Sequence, residues 1–515
     1  MSASRVLQPC LLLLLGPMLL PGGYSRAESR AESRAESRAE ARQPNIVLIL
    51  ADDLGWRDAG VYGSEYYQTP NIDLLAAQGM RFTQAYSSSP LCSPTRASIV
   101  TGYNPAFLRF TKARGHFDEA VEFPAEMPAS AEPGRAVVPA PSATRLALKY
   151  KTVGSYLKDA GYRTGFFGKW HLGGDEWLPD QRGYDVVMPG GSDWGVERYY
   201  SPYQLADFKD GPKGEHLDQR LAKEAVAFVQ RSLESPDDRP FFVSFWPFSV
   251  HYPYQARKKL VEKYQRLKDP AYPQQNAVMA AMIEELDTSL GILIEGLKAA
   301  GVWRDTVTIF MSDNGGVDWM GQVPGAPMAT DNFPLRGGKA QIYEGGIRVP
   351  LIVSWPGKVK AQQISEQLVS SEDLFATILH LAGIDRDEQL INHGQSLYPL
   401  LSGQAREGSR KSVVVHYPNY VGRLDGSPAS SIRIGRWKLI HNYATSGVGA
   451  RARTHELYDL EHDIGEANNL ADEQPEVVGA MQQQLDAALK RMEALMPVAN
   501  PSFRQAGEST DPGTR

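Results

Sequence analysis

The sequence predicts an α/β protein whose core is a large, mostly parallel mixed β-sheet flanked by helices, followed by a smaller C-terminal antiparallel α+β subdomain. Two observations indicate this fold. Short continuous apolar runs such as Asn45–Leu50 are typical of buried strands, and they alternate along the chain with segments of helical periodicity such as Leu217–Leu233. From about Ser412 onward, predicted strands follow one another without helices between them.

The elements of the large sheet follow one another in a regular order. We predict a helix where apolar residues recur every three to four positions and a glycine follows, as at Thr152–Ala160 before Gly161. The predicted strands are Asn45–Leu50, Arg163–Phe167, Phe241–Trp246, Val307–Met311 and Leu351–Ser354. The predicted helices are Ile72–Gly79, with the glycine as its stop, Thr152–Ala160, Leu217–Leu233, Ala277–Ala300 and Leu374–Leu381.

The C-terminal part has a different pattern. Its predicted elements are the strands Val413–His416, Ser431–Ile434, Trp437–His441 and Glu456–Asp459 and a final helix at Val477–Leu495. We therefore predict a main domain at 44–405, an antiparallel-sheet subdomain with a terminal helix at 406–500 and a disordered tail at 501–515.

The N-terminus resembles an export leader. Arg5 precedes the apolar run Leu11–Leu15, which is too short to span a bilayer, so we predict a signal peptide at 1–25. A four-fold Arg-Ala-Glu-Ser-like repeat follows, and we predict a flexible linker at 26–43. We expect a secreted or periplasmic protein without stable membrane insertion after cleavage of the signal. The absence of any Asn-x-Ser/Thr acceptor favours a bacterial origin over the alternative, a lysosomal or extracellular eukaryotic protein.

The composition bounds the classes of partner. The chain has 515 residues, of which 42% are hydrophobic and 22% charged, as expected for a large globular protein with one main and one smaller domain. The formal net charge is −6, so nothing in the composition predicts binding to nucleic acid.

Polar side chains follow four of the predicted strands at the point where each strand ends. They are Asp52 and Asp53 after the first strand, Lys169 and His171 after the second, His251 after the third, and Asp313 and Asn314 after the fourth. Because ligand sites in open α/β sheets lie beyond the carboxyl ends of the strands, we expect these side chains to meet at one edge. Each has an ordinary alternative explanation, such as a helix cap, a turn or a structural histidine, but together they predict a functional site.

Four of these side chains form a set with oxygen donors only: Asp52, Asp53, Asp313 and Asn314. Such a set favours a hard divalent cation over zinc. Its flexible geometry favours Ca²⁺, although Mg²⁺ fits the same donors.

Cys92 is the one cysteine outside the predicted leader. The ordinary alternative is a buried cysteine that packs as a small hydrophobe. Its neighbours favour another role, because Ser93 is a good N-cap, Pro94 suits the first helical position and Gly102 ends the helix. Cys92 is therefore predicted at a helix N-terminus that attracts anions, with Arg96 one turn inside the helix.

The segment Cys92-Ser93-Pro94-Thr95-Arg96, continued to Gly102, resembles the signature of the type I sulfatases, which belong to the alkaline-phosphatase-like superfamily. The resemblance extends from about Pro44 to about Leu470. It implies that a formylglycine-generating or other sulfatase-maturing enzyme oxidises Cys92 to formylglycine (3-oxoalanine). It also implies one Ca²⁺ held by residues matching the oxygen set and by residue 92. Lys339 matches the family lysine that contacts the sulfate ester, and Glu344–Pro350 matches a segment that supports the site.

The resemblance further implies a mechanism. Residue 92, as a hydrated aldehyde, attacks sulfur in line, while the metal, Lys169 and Lys339 stabilise the sulfuryl oxygens. His251 with Lys339 then assists the leaving oxygen as general acid. His171 takes the proton from the second hydroxyl so that the aldehyde reforms and sulfate departs. Arg96 holds residue 92 and a metal ligand in place.

The substrate class is expected to be sulfated carbohydrate, a polysaccharide or its oligosaccharides. Aromatic rings stack on sugar faces, and the candidates are Trp177, Trp194, Tyr199, Tyr200, Tyr203, Trp246 and Trp319. Two other functions remain open at this point. One is a metal-dependent phosphoesterase or phosphonate hydrolase of the same superfamily, and the other is a non-catalytic binding protein on this scaffold.

Overall fold

The centre of the molecule is a β-sheet covered by helices on both faces. The computed structural model of the chain describes residues 43–205, 207–318, 328–385, 393–421 and 426–504. The strands of the described part are β1 (Asn45–Ala51), β2 (Gly79–Phe82), β3 (Ala85–Tyr86), β4 (Val137–Val138), β5 (Arg163–Gly168), β6 (Val186–Met188), β7 (Phe241–Trp246), β8 (Thr306–Ser312), β9 (Leu351–Ser354), β10 (Gln363–Ser365), β11 (Val369–Ser370), β12 (Ser412–Tyr417), β13 (Ala429–Ile434), β14 (Trp437–Asn442), β15 (His455–Asp459) and β16 (Val498–Ala499).

The helices surround this sheet and the C-terminal one. In the same part of the chain they are α1 (Pro70–Ala77), α2 (Cys92–Thr101), α3 (Pro105–Leu108), α4 (Val153–Asp159), α5 (Leu217–Leu233), α6 (Lys258–Leu267), α7 (Ala277–Ala299), α8 (Glu344–Ile347), α9 (Glu372–Leu381), α10 (Tyr398–Leu401) and α11 (Pro475–Arg491). Short 3₁₀ turns lie at Gly60–Tyr62, Asp175–Trp177, Pro179–Arg182 and Trp303–Asp305.

The large sheet has eight strands in the described residues, in the order β10-β2-β9-β8-β1-β7-β5-β6. β1 lies between β8 and β7 and is parallel to both. β9 is antiparallel to β2 and to β8, so the sheet is mixed and mostly parallel. The predicted fold class is confirmed.

The apolar run of β1 explains why this strand is central. All seven of its residues are buried, as expected of a strand covered on both faces. Val47 and Ile49 pack into a cluster with residues of α5 and α7. Ile46 and Leu48 belong to a cluster on the other face with residues of α2, α4 and α9. Successive side chains thus enter opposite cores, as the pleat of a strand requires.

Several predicted boundaries are wrong by a few residues. The helix predicted at Ile72–Gly79 is α1, which starts at Pro70 and ends at Ala77, and Gly79 is the first residue of β2 and not the helix stop. A Cβ at Gly79 would lie 2.2 Å from the carbonyl oxygen of Val353, so the glycine permits close approach of β9. The last predicted helix, Val477–Leu495, is α11 and ends at Arg491.

The C-terminal sheet is antiparallel, as predicted, in the order β12-β13-β14-β15. One face packs against α11 through residues such as Leu439 and Leu485. The other face packs against the main body through residues such as Ile440 and Ile347. The residues from Pro44 onward form one compact unit, and the predicted division at 405/406 stays a prediction.

The predicted signal peptide, the repeat up to residue 42 and most of the predicted tail (505–515) lie outside the described residues. Among the residues that are described, no helix combines the length and the apolar character needed to cross a membrane.

A buried ion-pair network joins the C-terminal sheet to α8. Lys438 of β14 lies with its Nζ 3.0 Å from Oε1 of Glu344 and 2.8 Å from Oε1 of Glu466. All three side chains are at most 1% exposed. Glu344 also accepts a hydrogen bond from the hydroxyl of Tyr86 at 2.7 Å. Lys438 is therefore the shared counter-ion of two buried carboxylates.

We expect Lys438→Met to lower the free energy of unfolding by about 3–5 kcal/mol, because it leaves two carboxylates without their shared cation in the interior. Urea unfolding followed by circular dichroism measures the change. Lys223→Met is the matched control, since the Lys223 side chain is 56% exposed and pairs with Glu215 at 2.8 Å, and it should cost at most about 1 kcal/mol. Equal losses in the two variants would contradict the structural role of Lys438.

Candidate active site

The pairing of β1 with β8 brings four oxygen-bearing side chains together. Ala51 and Ser312 are register partners in this parallel pair, so Asp52 and Asp53 leave the sheet beside Asp313 and Asn314. The Asp53 amide donates to Oδ1 of Asp313 at 3.2 Å, and Nδ2 of Asn314 donates to Oδ1 of Asp53 at 2.8 Å. All four side chains are buried.

These residues fit a divalent cation. Oδ1 of Asp52 and Oδ1 of Asn314 are buried and have no hydrogen-bond partner among the described residues, although buried polar oxygens normally have one. Burial, together with the charge of Asp52, raises the pKa of Asp313 to about 6. A site that gathers carboxylates away from water favours a cation with oxygen ligands.

One group of potential ligand atoms differs from the predicted set. Single ligand atoms of Asp52, Asp53, Cys92 and His251 all lie within 4.8 Å of one another. Asp313 is outside that group; Arg96 donates to its Oδ2 from Nε at 2.9 Å and places Nη2 2.8 Å from the same oxygen as an ion pair. The cluster could hold a metal ion through the first two aspartates and residue 92, with Asp313 beside it.

Cys92 lies at the N-terminus of α2, as predicted, but it is the first helical residue, so the predicted cap and first position are wrong. The N-cap is Leu91 in an extended conformation, and Ser93 lies inside the first turn. Its Oγ accepts a hydrogen bond from the amide of Gly115 at 3.3 Å, so it is used for tertiary contact. The helix ends at Gly102, whose φ of 74° is the left-handed conformation that glycine adopts readily.

The Cys92 thiol is poorly suited to act as a thiolate. The side chain is 2% exposed. Burial raises its pKa to about 12, although Lys169 and Lys339 lower it. The unmodified thiol is therefore protonated and weakly nucleophilic at neutral pH.

Three buried cations form ion pairs with the three carboxylates. Nζ of Lys169 lies 2.6 Å from Oδ2 of Asp52, and Nζ of Lys339 lies 2.7 Å from Oδ2 of Asp53. Arg96 pairs with Asp313, as given above, and also donates to the Lys169 carbonyl at 2.6 Å. Burial opposes ionisation of Asp53, but the charges of Lys339 and Lys169 hold its pKa well below the usual range. The three cationic side chains are thus held next to the buried carboxylates by ion pairs.

His251 lies within the same cluster. Its Nδ1 is 2.8 Å from the carbonyl oxygen of Tyr252, and its Nε2 is 3.7 Å from Oδ2 of Asp53. Burial, followed by the charges of Lys339 and Lys169, lowers the pKa of His251 to about 3. The ring is neutral in this environment, with the proton on Nδ1 for the carbonyl and a lone pair on Nε2.

His171 has a partner that the sequence did not indicate. Its Nε2 lies 2.8 Å from Nδ1 of His116, in the irregular segment between α3 and β4. Burial, with the charges of Lys169 and of His116, lowers the pKa of His171 well below its usual value. A single histidine in an irregular segment carries no spacing signal, so only the tertiary structure brings it to the site.

Most of the predicted aromatic candidates are packing residues. Tyr199, Tyr203 and Trp246 are fully buried. Trp194 is 46% exposed, and its ring centroid lies 5.3 Å from that of His251 and 6.1 Å from that of His116. Trp319 lies outside the described residues. Trp194 is thus the candidate ring at the edge of the site.

Comparison with known proteins identifies the family of the chain. The sulfatase family model matches residues 44–384, and the model of the N-sulphoglucosamine sulphohydrolase C-terminal region matches residues 338–494. Human arylsulfatase A is 32% identical over 501 residues, 87% of this chain and 89% of its own length. The N-acetylgalactosamine-6-sulfatase of the dog, Canis lupus familiaris, is 32% identical over 380 residues, 70% of this chain and 66% of its own.

The fold is also similar to that of a solved structure. The crystal structure of Ps i-CgsB in complex with k-i-k-neocarrahexaose has a TM-score of 0.67 and 27% identity, and the match covers 87% of this chain and 93% of that one. The family model covers more than half of the chain and matches the segment that contains Asp52, Cys92 and Asp313. The chain belongs to the sulfatase family, whose members are sulfuric ester hydrolases.

Proposed function

We propose that this protein hydrolyses sulfate esters of carbohydrates, a sulfated polysaccharide or its oligosaccharides. The observation that carries the proposal is the position of Cys92, buried at the start of α2 within 4.8 Å of donor atoms of two aspartates and a histidine. The substrate class is supported by two relatives, one named for N-acetylgalactosamine 6-sulfate and one crystallised with a neocarrahexaose. Trp194 is exposed at the edge of the site, where its ring could pack on a sugar face.

Residue 92 would act after conversion to formylglycine by a sulfatase-maturing enzyme. The high pKa of the buried thiol supports this, because the unmodified cysteine is a weak nucleophile there. As a hydrated aldehyde, residue 92 would supply an oxygen nucleophile for sulfur. Asp52, Asp53, Asp313 and Asn314 would hold a Ca²⁺, with Mg²⁺ as the alternative. Such an ion supplies positive charge next to the sulfuryl group.

The cationic side chains bind and orient the ester. Lys169 and Lys339 place two ammonium groups at the carboxylates beside residue 92, where they would neutralise charge on the sulfuryl oxygens. Arg96 would keep Asp313 in place, because its Nε donates to Oδ2 of Asp313 and its Nη2 forms an ion pair with the same oxygen. These groups are fixed before the substrate arrives, so little reorganisation is needed in the reaction.

The two histidines would move protons in different steps. His251 with Lys339 would protonate the leaving alcohol oxygen, since the anionic ester raises the pKa of the neutral ring from its resting value of about 3. His171 would remove the proton from the second hydroxyl of residue 92, which allows sulfate to depart.

The proposal includes export of the protein from the cytoplasm. The predicted leader at 1–25 supports a secreted or periplasmic location, where sulfated polysaccharides are accessible.

Comparing the rates of hydrolysis of aryl sulfates and aryl phosphates separates this function from that of a phosphoesterase. Faster turnover of the phosphate would overturn the proposal.

The first expected outcome concerns residue 92. Mass spectrometry of the tryptic peptide that contains Cys92 should find an aldehyde in place of the thiol. Cys92→Ala should lower turnover by about a thousandfold or more, because the nucleophile is removed. The variant should keep the urea midpoint of the parent, which is the control for folding. A fully active enzyme with an unmodified thiol would sink the hypothesis.

The second expected outcome concerns the cation. Added Ca²⁺ should raise the melting temperature of chelator-treated protein, since an ion that binds only the folded state contributes about 2.7 kcal/mol at one hundred times its dissociation constant. Asp313→Ala should lose most of this gain. Glu461→Gln is the control and should keep the full gain, because Glu461 is an exposed residue in a separate cluster with Asp459 and His462. Zinc as the sole native metal would contradict the assignment.

The third expected outcome separates the histidines. His251→Ala should slow hydrolysis of sugar sulfates by about 10²–10⁴-fold, because a sugar alkoxide is a poor leaving group that needs a proton. The same variant should be within about tenfold of the parent on a nitrophenyl sulfate, whose phenolate leaves with little help. His171→Ala should release a burst of alcohol on both substrates and then turn over slowly. Equal losses on both substrates in both variants, without a burst, would show the roles to be wrong.

A further inference from the structure

The two nitrogens of His171 have different surroundings. Nε2 lies 2.8 Å from Nδ1 of His116, and Nδ1 is buried without a hydrogen-bond partner among the described residues. Burial, followed by the charge of Lys169, lowers the pKa of the ring well below its usual value, so the ring is neutral. Nε2 of His171 is therefore hydrogen-bonded, whereas Nδ1 has no hydrogen-bond partner among the described residues.

Backbone contacts hold His116 against His171. Gly115 forms a parallel β-bridge with Leu172, and a Cβ at position 115 would lie 1.7 Å from the carbonyl oxygen of His171. The Gly115 carbonyl accepts a hydrogen bond from Oγ of Ser192 at 2.9 Å. Its amide donates to Ser93, in the helix that begins at Cys92. Only glycine permits this approach, so position 115 fixes the place of the next side chain.

His171 itself has a φ of 58°, the left-handed conformation that residues other than glycine seldom adopt. Such a conformation persists where the surrounding structure holds it. The ring is therefore placed by its own backbone, by Gly115 and by His116 together.

The hydrogen bond decides which tautomer His171 adopts. If Nδ1–H of His116 donated to Nε2 of His171, the proton of His171 would lie on Nδ1, a buried donor without an acceptor. If Nε2–H of His171 donates to His116, the buried Nδ1 carries only a lone pair, which is less costly to leave without a partner. The second arrangement is favoured. His116 suits it, because burial and the charge of Lys169 lower its pKa and so favour its neutral form, which can accept.

We propose that His116 is a positioning residue that accepts Nε2–H of His171 and so fixes Nδ1 of His171 as the base of the second half-reaction. The inference rests on the proposed function. In that step Nδ1 takes the proton of the remaining hydroxyl of residue 92, and the O–H electrons form the C=O bond. The C–O bond to sulfate breaks, and sulfate leaves with the electron pair of that C–O bond. The charge that develops on His171 is stabilised through the hydrogen bond to His116, which is partly exposed to water.

Rapid-quench kinetics on a nitrophenyl sulfate test the proposal. His116→Ala should show a burst of about one nitrophenol per active site at the parent rate, followed by steady turnover about 10–100-fold slower. KM should fall together with kcat, because only the second step is slowed. His116→Asn should recover most of the steady rate, since its Oδ1 can accept in place of Nδ1. Asp118→Asn, an exposed change in the same loop, is the control and should resemble the parent.

His171→Ala separates failure of this proposal from failure of the proposed function. If His171→Ala gives a burst and His116→Ala does not, the role of His116 is overturned while that of His171 stands. If neither variant gives a burst, the assigned role of His171 is wrong and the inference falls with it. A His116→Ala variant that only raises KM for sugar sulfates would mark a substrate contact, and that result also overturns the proposal.

Discussion

The structure depends on the neutralisation of buried carboxylates at one end of the parallel pair β1 and β8. The register of these strands places Asp52, Asp53 and Asp313 side by side in the interior. Burying like charges together is costly unless opposite charges accompany them. The chain meets this constraint from three separate elements, because α2 supplies Arg96, the residue after β5 supplies Lys169, and the loop before α8 supplies Lys339. The same pairs define a pocket lined with fixed charge around residue 92.

The parts of this arrangement that follow from local patterns could be predicted from the sequence. Continuous apolar runs such as Asn45–Leu50 indicate central strands, since only strands covered on both faces need such runs. The polar residues after them, such as Asp52 and Asp313, are then expected at one sheet edge, and the structure brings them together. The same rules predicted the antiparallel C-terminal sheet and placed Cys92 at a helix start.

The parts that depend on tertiary contact could not be predicted. Leu91 caps α2 although it lacks a capping side chain, because Ser93, the better cap by its chemistry, hydrogen-bonds to Gly115 instead. His116 approaches His171 because the neighbouring Gly115 makes backbone contacts there. The periodicity of the sequence does not indicate such a contact. Tyr199 was a candidate for sugar stacking, yet its hydroxyl donates to backbone carbonyls of the interior. In each case a partner far along the chain decides the role of the residue.

The depth of Cys92 has a consequence for the order of events during synthesis. Asp53 and Asp313 are 260 positions apart. These carboxylates therefore come together beside Cys92 only after β8 has been synthesised and has paired with β1. Pairing between distant segments is slow in folding, because a long loop must close first. The nascent chain therefore passes through an interval in which Cys92 is synthesised but not yet covered. After that interval the side chain is 2% exposed, so any reaction that needs an accessible thiol would have to occur before β1 and β8 pair.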